Sequence, residues 1–463
     1  MRARRHKKGE SLRFIRRVVH NAAQTRTSPA RLALVVFLGM NVLFTAILSL
    51  PIANADGRVP PLVDAAFTAV SAVCVTGLST VDIATTYTVF GKVMLMLAMK
   101  IGGLGVLTIA SLLGLSVMRH MGLAQRIVTA RETRSEQLSE VGSVLKTLVI
   151  TSTLIEFLIF ATLAPYFLSR GDHPGSALFN AAFYGISAFN NVGFVPEAEG
   201  VAQYTTDPFV AIPLALGVFI GSLGFPVILV LMRRWRTPEK WSLHAKLTLS
   251  TTFILLVAAM VGIGALEWNN PDTLGGVQGP GRFLAIAYAG VMPRSGGLGM
   301  LDTSLMHSET WLLQDILMFI GGGSGSTAGG IKVTTFAILV LSIVAEIRGD
   351  RDVEVFNRRL PEESIRQAIG VLAISVIVVF TAVLTLLRIT DFDLGQILLE
   401  VCSGYGTVGL STGITADLPT AGKAAIIACM LLGRLGPVTV GAALAMRTRQ
   451  RVVRMPAERP IIG

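Results

Sequence analysis

The chain has 463 residues, of which 52% are hydrophobic and only 15% charged, against roughly 25% charged in an ordinary soluble domain. No soluble domain of useful size is left over, and the chain is meant for lipid. The formal net charge of +11 would suit nucleic acid, but the basic residues cluster in five separated segments, Met1 to Arg31, Arg119 to Lys146, Arg233 to Lys246, Arg348 to Arg366 and Arg447 to Gly463. They read as loops between membrane segments, so a lipid bilayer and no nucleic-acid partner is expected.

Residues 1–31 form a basic tail. The apolar run Leu32 to Leu50, followed by Ala53-Asn54-Ala55, has the outline of a signal peptide. At about nineteen residues it exceeds a signal core of roughly 7–15 and reads as a retained membrane helix. A short run, Pro60 to Val73, then leads to Val75-Thr76-Gly77-Leu78, and a long run, Tyr87 to Met118, completes a first unit, residues 32–118. The second unit, 119–232, repeats that order with Val149 to Leu168, Pro174 to Asn190, Asn191-Val192-Gly193-Phe194 and Phe209 to Met232. In the third, 233–346, the series is Leu247 to Leu266, Gly281 to Met292, Ser295-Gly296-Gly297-Leu298 and a broken helix from Trp311 to Val344. The fourth, 347–447, has Ile369 to Leu387, Asp393 to Gly404, Thr407-Val408-Gly409-Leu410 and Ala424 to Met446, before a tail of residues 448–463.

The third-position glycine recurs about every 110 residues, too long a period for a solenoid and suited to a two-helix membrane unit. The long runs can cross a hydrocarbon core of roughly 30 Å, whereas the short ones enter it and stop. Predicted, therefore, is an all-α polytopic membrane protein: four helix–pore loop–helix repeats with pseudo-fourfold symmetry around one pore. Non-helical backbone at membrane depth is tolerated where it is buried or lines a water-filled cavity. Rings of backbone carbonyls can there replace the hydration shell of K⁺, and glycine supplies the backbone freedom for the turn. The sixteen residues of the four motifs are the expected ion-binding filter. Glycine is also a packing residue in membrane helices, but four copies at a near-constant period, each after a half-length helix, favour the pore.

Every unit begins on the same side, so all five basic segments and both termini fall on one face, cytoplasmic by the positive-inside rule. The opposite loops carry Asp172, Glu197, Glu199, Asp207, Glu267, Asp272, Asp391 and Asp393, acidic groups that would concentrate cations outside. Cys74, Cys402 and Cys429 lack CxxC spacing and imply neither disulfide nor metal.

In the third unit, Gly321-Gly322-Gly323-Ser324-Gly325-Ser326-Thr327-Ala328-Gly329-Gly330 interrupts a helix, since adjacent glycines cost about 1 kcal/mol each relative to alanine. A phosphate-binding loop fails by one residue, because Ile331 separates Gly330 from Lys332, and its flanks are apolar. Packing by small residues is the second rival. The favoured reading is an intramembrane gate below the filter. Lys332 and Arg434 are ionisable residues in membrane segments and so candidates for function. Arg434 has the alternative role of capping loop carbonyls, and Glu156 that of a hydrogen-bonding partner.

The four filter motifs, with Ser187-Ala188-Phe189-Asn190-Asn191 before the second and Gly409-Leu410-Ser411-Thr412-Gly413 at the fourth, resemble the Trk/Ktr/HKT superfamily of potassium transporters. Likeness extends over almost the whole chain, through Ile101-Gly102-Gly103-Leu104-Gly105, Gly224-Phe225-Pro226, Ser324 to Lys332 and Gly433-Arg434-Leu435-Gly436-Pro437. A single helix before the first pore loop, and the ending Pro460-Ile461-Ile462-Gly463, are more like the Ktr membrane subunit. The resemblance implies K⁺ uptake across the plasma (cytoplasmic) membrane and a gate at the glycine-rich loop, Lys332 and Arg434, where an arginine would repel a cation. It also implies a homodimer and a separate cytosolic nucleotide-binding ring subunit on the basic face, with no organic cofactor in this chain. Na⁺ stays open as a coupled ion. Two positions depart from the family's pattern: the third filter is Ser-Gly-Gly-Leu where Thr-Ala-Gly-Phe is common, and Lys100 stands where glutamine is usual.

Other functions fit less well. Gly409-Leu410-Ser411-Thr412-Gly413 satisfies GxSxG, but a nucleophile elbow needs a strand-to-helix turn with histidine and acidic partners. A secondary carrier would have inverted repeats, whereas these four run in one direction. Each motif carries one key glycine where TVGYG carries two, so a short filter is expected, with control shifted to residues 321–330.

Overall fold

The computed structural model describes residues 29–105 and 136–436. The basic N-terminal tail, the end of the run reaching Met118, the basic stretch to residue 135, the end of the run reaching Met446 and the terminal Pro460-Ile461-Ile462-Gly463 lie outside the described residues.

The described helices follow one another in four successive groups along the chain. The first set is α1 (Pro29–Leu48), α2 (Leu62–Cys74) and α3 (Val89–Leu104). Next come α4 (Glu136–Ser169), α5 (Pro174–Phe189), α6 (Pro208–Leu223) and α7 (Phe225–Arg234). The third comprises α8 (Leu243–Glu267), α9 (Pro280–Val291), α10 (Ser308–Phe319) and α11 (Val333–Arg348), and the fourth α12 (Glu362–Ile389), α13 (Leu394–Gly406) and α14 (Thr420–Leu435). A small hairpin, β1 (Glu354–Val355) with β2 (Arg358–Arg359), is the only sheet among the described residues.

Local chemistry sets the helix starts. Thr88, Asp207 and Ser242 accept the free N–H groups that open α3, α6 and α8, and Asp393 with Gln396 forms a capping box on α13; such caps are each worth about 1 kcal/mol. Proline opens α5, α6 and α9, where its missing N–H costs nothing.

The protein is an all-α membrane protein, and burial separates its long helices from its short ones. Residues Lys146–Ser169 of α4, all of α8 and all of α12 are long and apolar enough to cross a bilayer. They expose large apolar side chains on their outer faces, among them Phe157, Phe253, Ile254, Ile377 and Phe380, an arrangement costly in water and favourable in lipid. By contrast, α2 is buried from Phe67 to Cys74 and α13 from Leu399 to Gly406. Short helices therefore form the centre and long ones the rim. A 2.9 Å ion pair between Lys423 and Asp64 ties α14 to α2 and joins the last quarter of the chain to the first.

The apolar run Phe209 to Met232 is not one helix. It breaks at Gly224 (φ 92°, ψ 141°), and α6 and α7 meet at 101°. Helices α3 and α14 end at glycines in nearly the same conformation, Gly105 (φ 88°, ψ 140°) and Gly436 (φ 77°, ψ 136°). With φ near +90° these are positions where a side chain is strained.

Candidate functional site

The short helices deliver the four motifs to one place. Among the described residues only six non-glycines have positive φ, and four are the first residues of the motifs: Val75 (62°), Asn191 (58°), Ser295 (138°) and Thr407 (50°). The motif glycines follow with φ of 93°, 94°, 59° and 98°. The left-handed conformation costs an L-residue roughly 1–2 kcal/mol, so the packing around these loops must enforce it.

Glycine contacts fix the mutual arrangement. A Cβ on Gly77 would collide with the Val192 carbonyl, one on Gly193 with the backbone of Gly297, one on Gly297 with the Val408 carbonyl, and one on Gly409 with the Thr76 carbonyl. The loops thus abut in the order first, second, third, fourth and first again, a closed ring of backbone against backbone. In each motif the glycine is the one residue of four that is not buried. The accessible surface reaching this ring is therefore main chain.

Three loops are held alike. Thr76, Val192 and Val408 donate their N–H groups to the carbonyls of Ser71, Ser187 and Ser403 at 2.8–2.9 Å, closing Schellman-type ends on α2, α5 and α13. The same buried serines bond the loops through their hydroxyls: Gly77 N–H donates to Ser71 Oγ and Gly409 N–H to Ser403 Oγ, both at 3.0 Å, and Ser187 Oγ donates to the Phe194 carbonyl at 2.8 Å. The third loop differs. Val291 occupies the serine's place, α9 runs into a 3₁₀ turn at Met292–Arg294, and both Ser295 and Gly296 donate to the Met292 carbonyl.

Below the ring, residues 320–332 leave the helix and pack into the notch opened by the break at Gly224. Gly323 N–H donates to the Ser222 carbonyl at 2.8 Å, Phe225 N–H to the Gly325 carbonyl at 3.1 Å, and Thr327 Oγ1 to the Gly221 carbonyl at 3.0 Å. Each backbone is satisfied by the other, as membrane depth demands. The glycines are required by proximity: a Cβ on Gly323 would strike the Leu223 carbonyl, and one on Gly329 the side chain of Thr407 in the fourth motif.

Arg434 donates to the carbonyls of Thr327 and Gly102, linking α14, the glycine-rich loop and α3. Lys332 Nζ donates to the Ala328 carbonyl at 2.6 Å. Both cations hold loop carbonyls, the capping role weighed for Arg434 from the sequence. Lys100 forms a 2.5 Å ion pair with Glu156, which also accepts from Asn190 Nδ2 at 2.7 Å, so Lys100 is tied through Glu156 to the residue that precedes the second motif.

The acidic loop residues are not all free to attract cations. Glu267 is fully buried and accepts from Thr310, Thr273, Asn270 and the His307 N–H at 2.5–2.9 Å, because the segment Asn270 to Thr310 folds over it. Asp207 and Asp393 cap helices. Glu197 accepts from Asn180 and Tyr184 at 2.8 and 2.9 Å; burial, and then the Glu197 charge, push the Tyr204 hydroxyl above its ordinary range. Ser411 Oγ donates to Glu400 at 2.8 Å in a contact between α13 and the loop that follows it, without the strand-to-helix turn of a nucleophile elbow. Sequence reasoning missed the serines Ser71 and Ser403 and the buried Arg294; the serines' recurrence six residues before three of the glycines was the available signal.

Comparison with known proteins identifies relatives over almost the whole chain. Residues 19–451 match the family model TrkH, described as a cation transport protein. The chain is 37% identical to the Ktr system potassium uptake protein B of Bacillus subtilis over 93% of its own length and 95% of the relative's. It is 32% identical to the protein of that name in Vibrio alginolyticus, with 94% of each covered, and 29% identical to the potassium/sodium uptake protein NtpJ of Enterococcus hirae, with 94% and 96% covered. The crystal structure of the potassium transporter TrkH from Vibrio parahaemolyticus shares the fold, with a TM-score of 0.68 at 18% identity over 91% of this chain and 86% of that one. The ring of four loops, the glycine-rich break and the match across nearly the whole sequence lead to one assignment: the chain belongs to the TrkH family of cation transport proteins.

Proposed function

We propose that this chain is the ion-translocating membrane subunit of a potassium uptake system. The observation that carries the reading is the closed ring of four loops in which the glycines alone are accessible. Partly dehydrated K⁺ binds backbone carbonyls of the motifs at residues 75–78, 191–194, 295–298 and 407–410, then passes the constriction at residues 321–330 into the cytoplasm. The membrane potential supplies the drive, about 2.3 kcal/mol per charge per 100 mV. The four repeats, at the boundaries 32–118, 119–232, 233–346 and 347–447, surround one pseudo-fourfold pore, and both termini are cytoplasmic. The names of the relatives support K⁺ as the substrate, and NtpJ's raises Na⁺ as a second or coupled ion.

Gating follows from the cations at the loop. With Arg434 bonded to the Thr327 carbonyl, the loop is fastened across the pore; release of that bond opens it. The chain works as a homodimer in the plasma membrane, and a separate cytosolic nucleotide-binding ring subunit docks on the basic face and shifts the equilibrium between the two states. Rubidium uptake by purified protein in liposomes, with Na⁺ as competitor, tests the pathway: Gly409→Ser should lose selectivity and rate, and an unchanged mutant would remove the filter assignment. Arg434→Gln should raise uptake without any regulator. Affinity capture that recovers no nucleotide-binding partner, together with fully ungated uptake by the wild type, would remove the regulatory part.

A further inference from the structure

The third loop lacks the device that holds the other three. Six residues before its glycine stands Val291, with no hydroxyl to bond the loop, where Ser71, Ser187 and Ser403 stand elsewhere. Its turn is also different: Ser295 has φ 138° against 50–62° for its counterparts, and Gly297 has 59° against 93–98°. Its main chain bonds only locally, to the Met292 carbonyl, at its base, and the residue next to it is an arginine only 3% exposed.

Arg294 reaches away from the loop to α8, where Nη1 donates to the Thr252 carbonyl at 2.9 Å and Nη2 to Thr252 Oγ1 at 3.4 Å. No carboxylate pairs with it among the described residues, and Nε finds no partner. A buried guanidinium without a counterion is expensive. A rigid planar fork gripping both the carbonyl and the hydroxyl of one threonine is geometry that lysine cannot reproduce.

We propose that Arg294 is the positioning residue of the third filter loop: seated on Thr252, it anchors Ser295-Gly296-Gly297-Leu298 to α8 and takes over the work that a serine does in each of the other loops. Pro293 is part of the same arrangement, because its missing N–H prevents the regular helical end and leaves the loop base dependent on its neighbour. The inference rests on the filter reading above.

The test is rubidium uptake by purified, reconstituted protein with Na⁺ as competitor. Wild type must first prefer Rb⁺; if it does not, the proposed function fails and not this refinement of it. Arg294→Lys keeps the charge and loses the fork, and should lower the Rb⁺ preference by about tenfold, as expected for losing a charge-assisted hydrogen bond at a ligand-bearing loop. Adding Val291→Ser, which restores the hydroxyl of the other loops, should recover most of that loss. Wild-type preference in Arg294→Lys overturns the proposal, and so does a loss that Val291→Ser leaves untouched, which would mark Arg294 as general packing. Should Arg294→Lys fail to fold, Thr252→Val decides: it removes only the side-chain acceptor, a fall of about threefold supports the anchor, and an unchanged preference overturns it.

Discussion

Replacing Gly409 with alanine separates two costs that a filter glycine avoids. The first is conformational, since at φ +98° an L-residue is strained by roughly 1–2 kcal/mol. The second is encroachment. The new methyl carbon would lie closer than 3.0 Å to the Thr76 carbonyl oxygen and 3.2 Å from that of Val192, where ordinary contact begins at 3.4 Å. The Thr76 carbonyl must retreat, and on the proposed function a carbonyl that turns from the ring is lost to the ion. A hydrogen bond to a charged group is worth about 1.5–3 kcal/mol; taking the lost ligand as comparable, Rb⁺ affinity falls by about ten- to a hundredfold. Gly413 provides the control, for it has φ +91° with nothing within 4 Å of its Cβ position. Gly413→Ala carries the strain without the encroachment. Initial rates of Rb⁺ uptake against Rb⁺ concentration, with and without Na⁺, should give a raised KM and stronger Na⁺ competition for Gly409→Ala alone. Equal behaviour of the two variants would refute a role for the Thr76 carbonyl at the ring.

Three further outcomes follow from the packing. Lys100→Met leaves the buried Glu156 carboxylate without its cation and should destabilise the protein by about 3–5 kcal/mol, while Lys100→Met with Glu156→Leu should recover most of that; thermal unfolding in detergent measures both. Gly370 lies within α12 with open space at its Cβ position, so Gly370→Ala should stabilise by roughly 0.5–1 kcal/mol with uptake unchanged in the same preparations. Gly329→Ala drives a methyl group into the Thr407 side chain and should reduce both uptake and ion preference; Thr407→Ala in the same chain removes the colliding atoms and should return uptake toward that of Thr407→Ala alone.

The short helices and their loops were readable because half-length apolar runs ending in glycine have few other uses in lipid. The gap between α10 and α11 was readable from adjacent glycines. The break at Gly224 was hidden inside an unbroken apolar run, and its cause lies elsewhere in the chain: residues 221–226 surrender helical hydrogen bonds because residues 323–327 supply replacements. Glu267 read as a surface acid by position, whereas a segment folded over it makes it a buried hub for four donors. Arg294 drew no notice in the sequence, since no pattern shows that Thr252, some forty residues earlier, lies beside it. What escaped the sequence in each case is a pairing between distant segments.

The ring formed by the four loops belongs to one continuous polypeptide. A homotetrameric pore repeats any substitution four times, so its ligand set changes in whole rings. Here the first motif position is Val75, Asn191, Ser295 and Thr407, four different residues. One codon alters one loop and leaves the other three intact. On the proposed function such a pore can be tuned in graded steps, and a single quadrant can diverge, as the third loop has, while the other three keep their shared serine fastening.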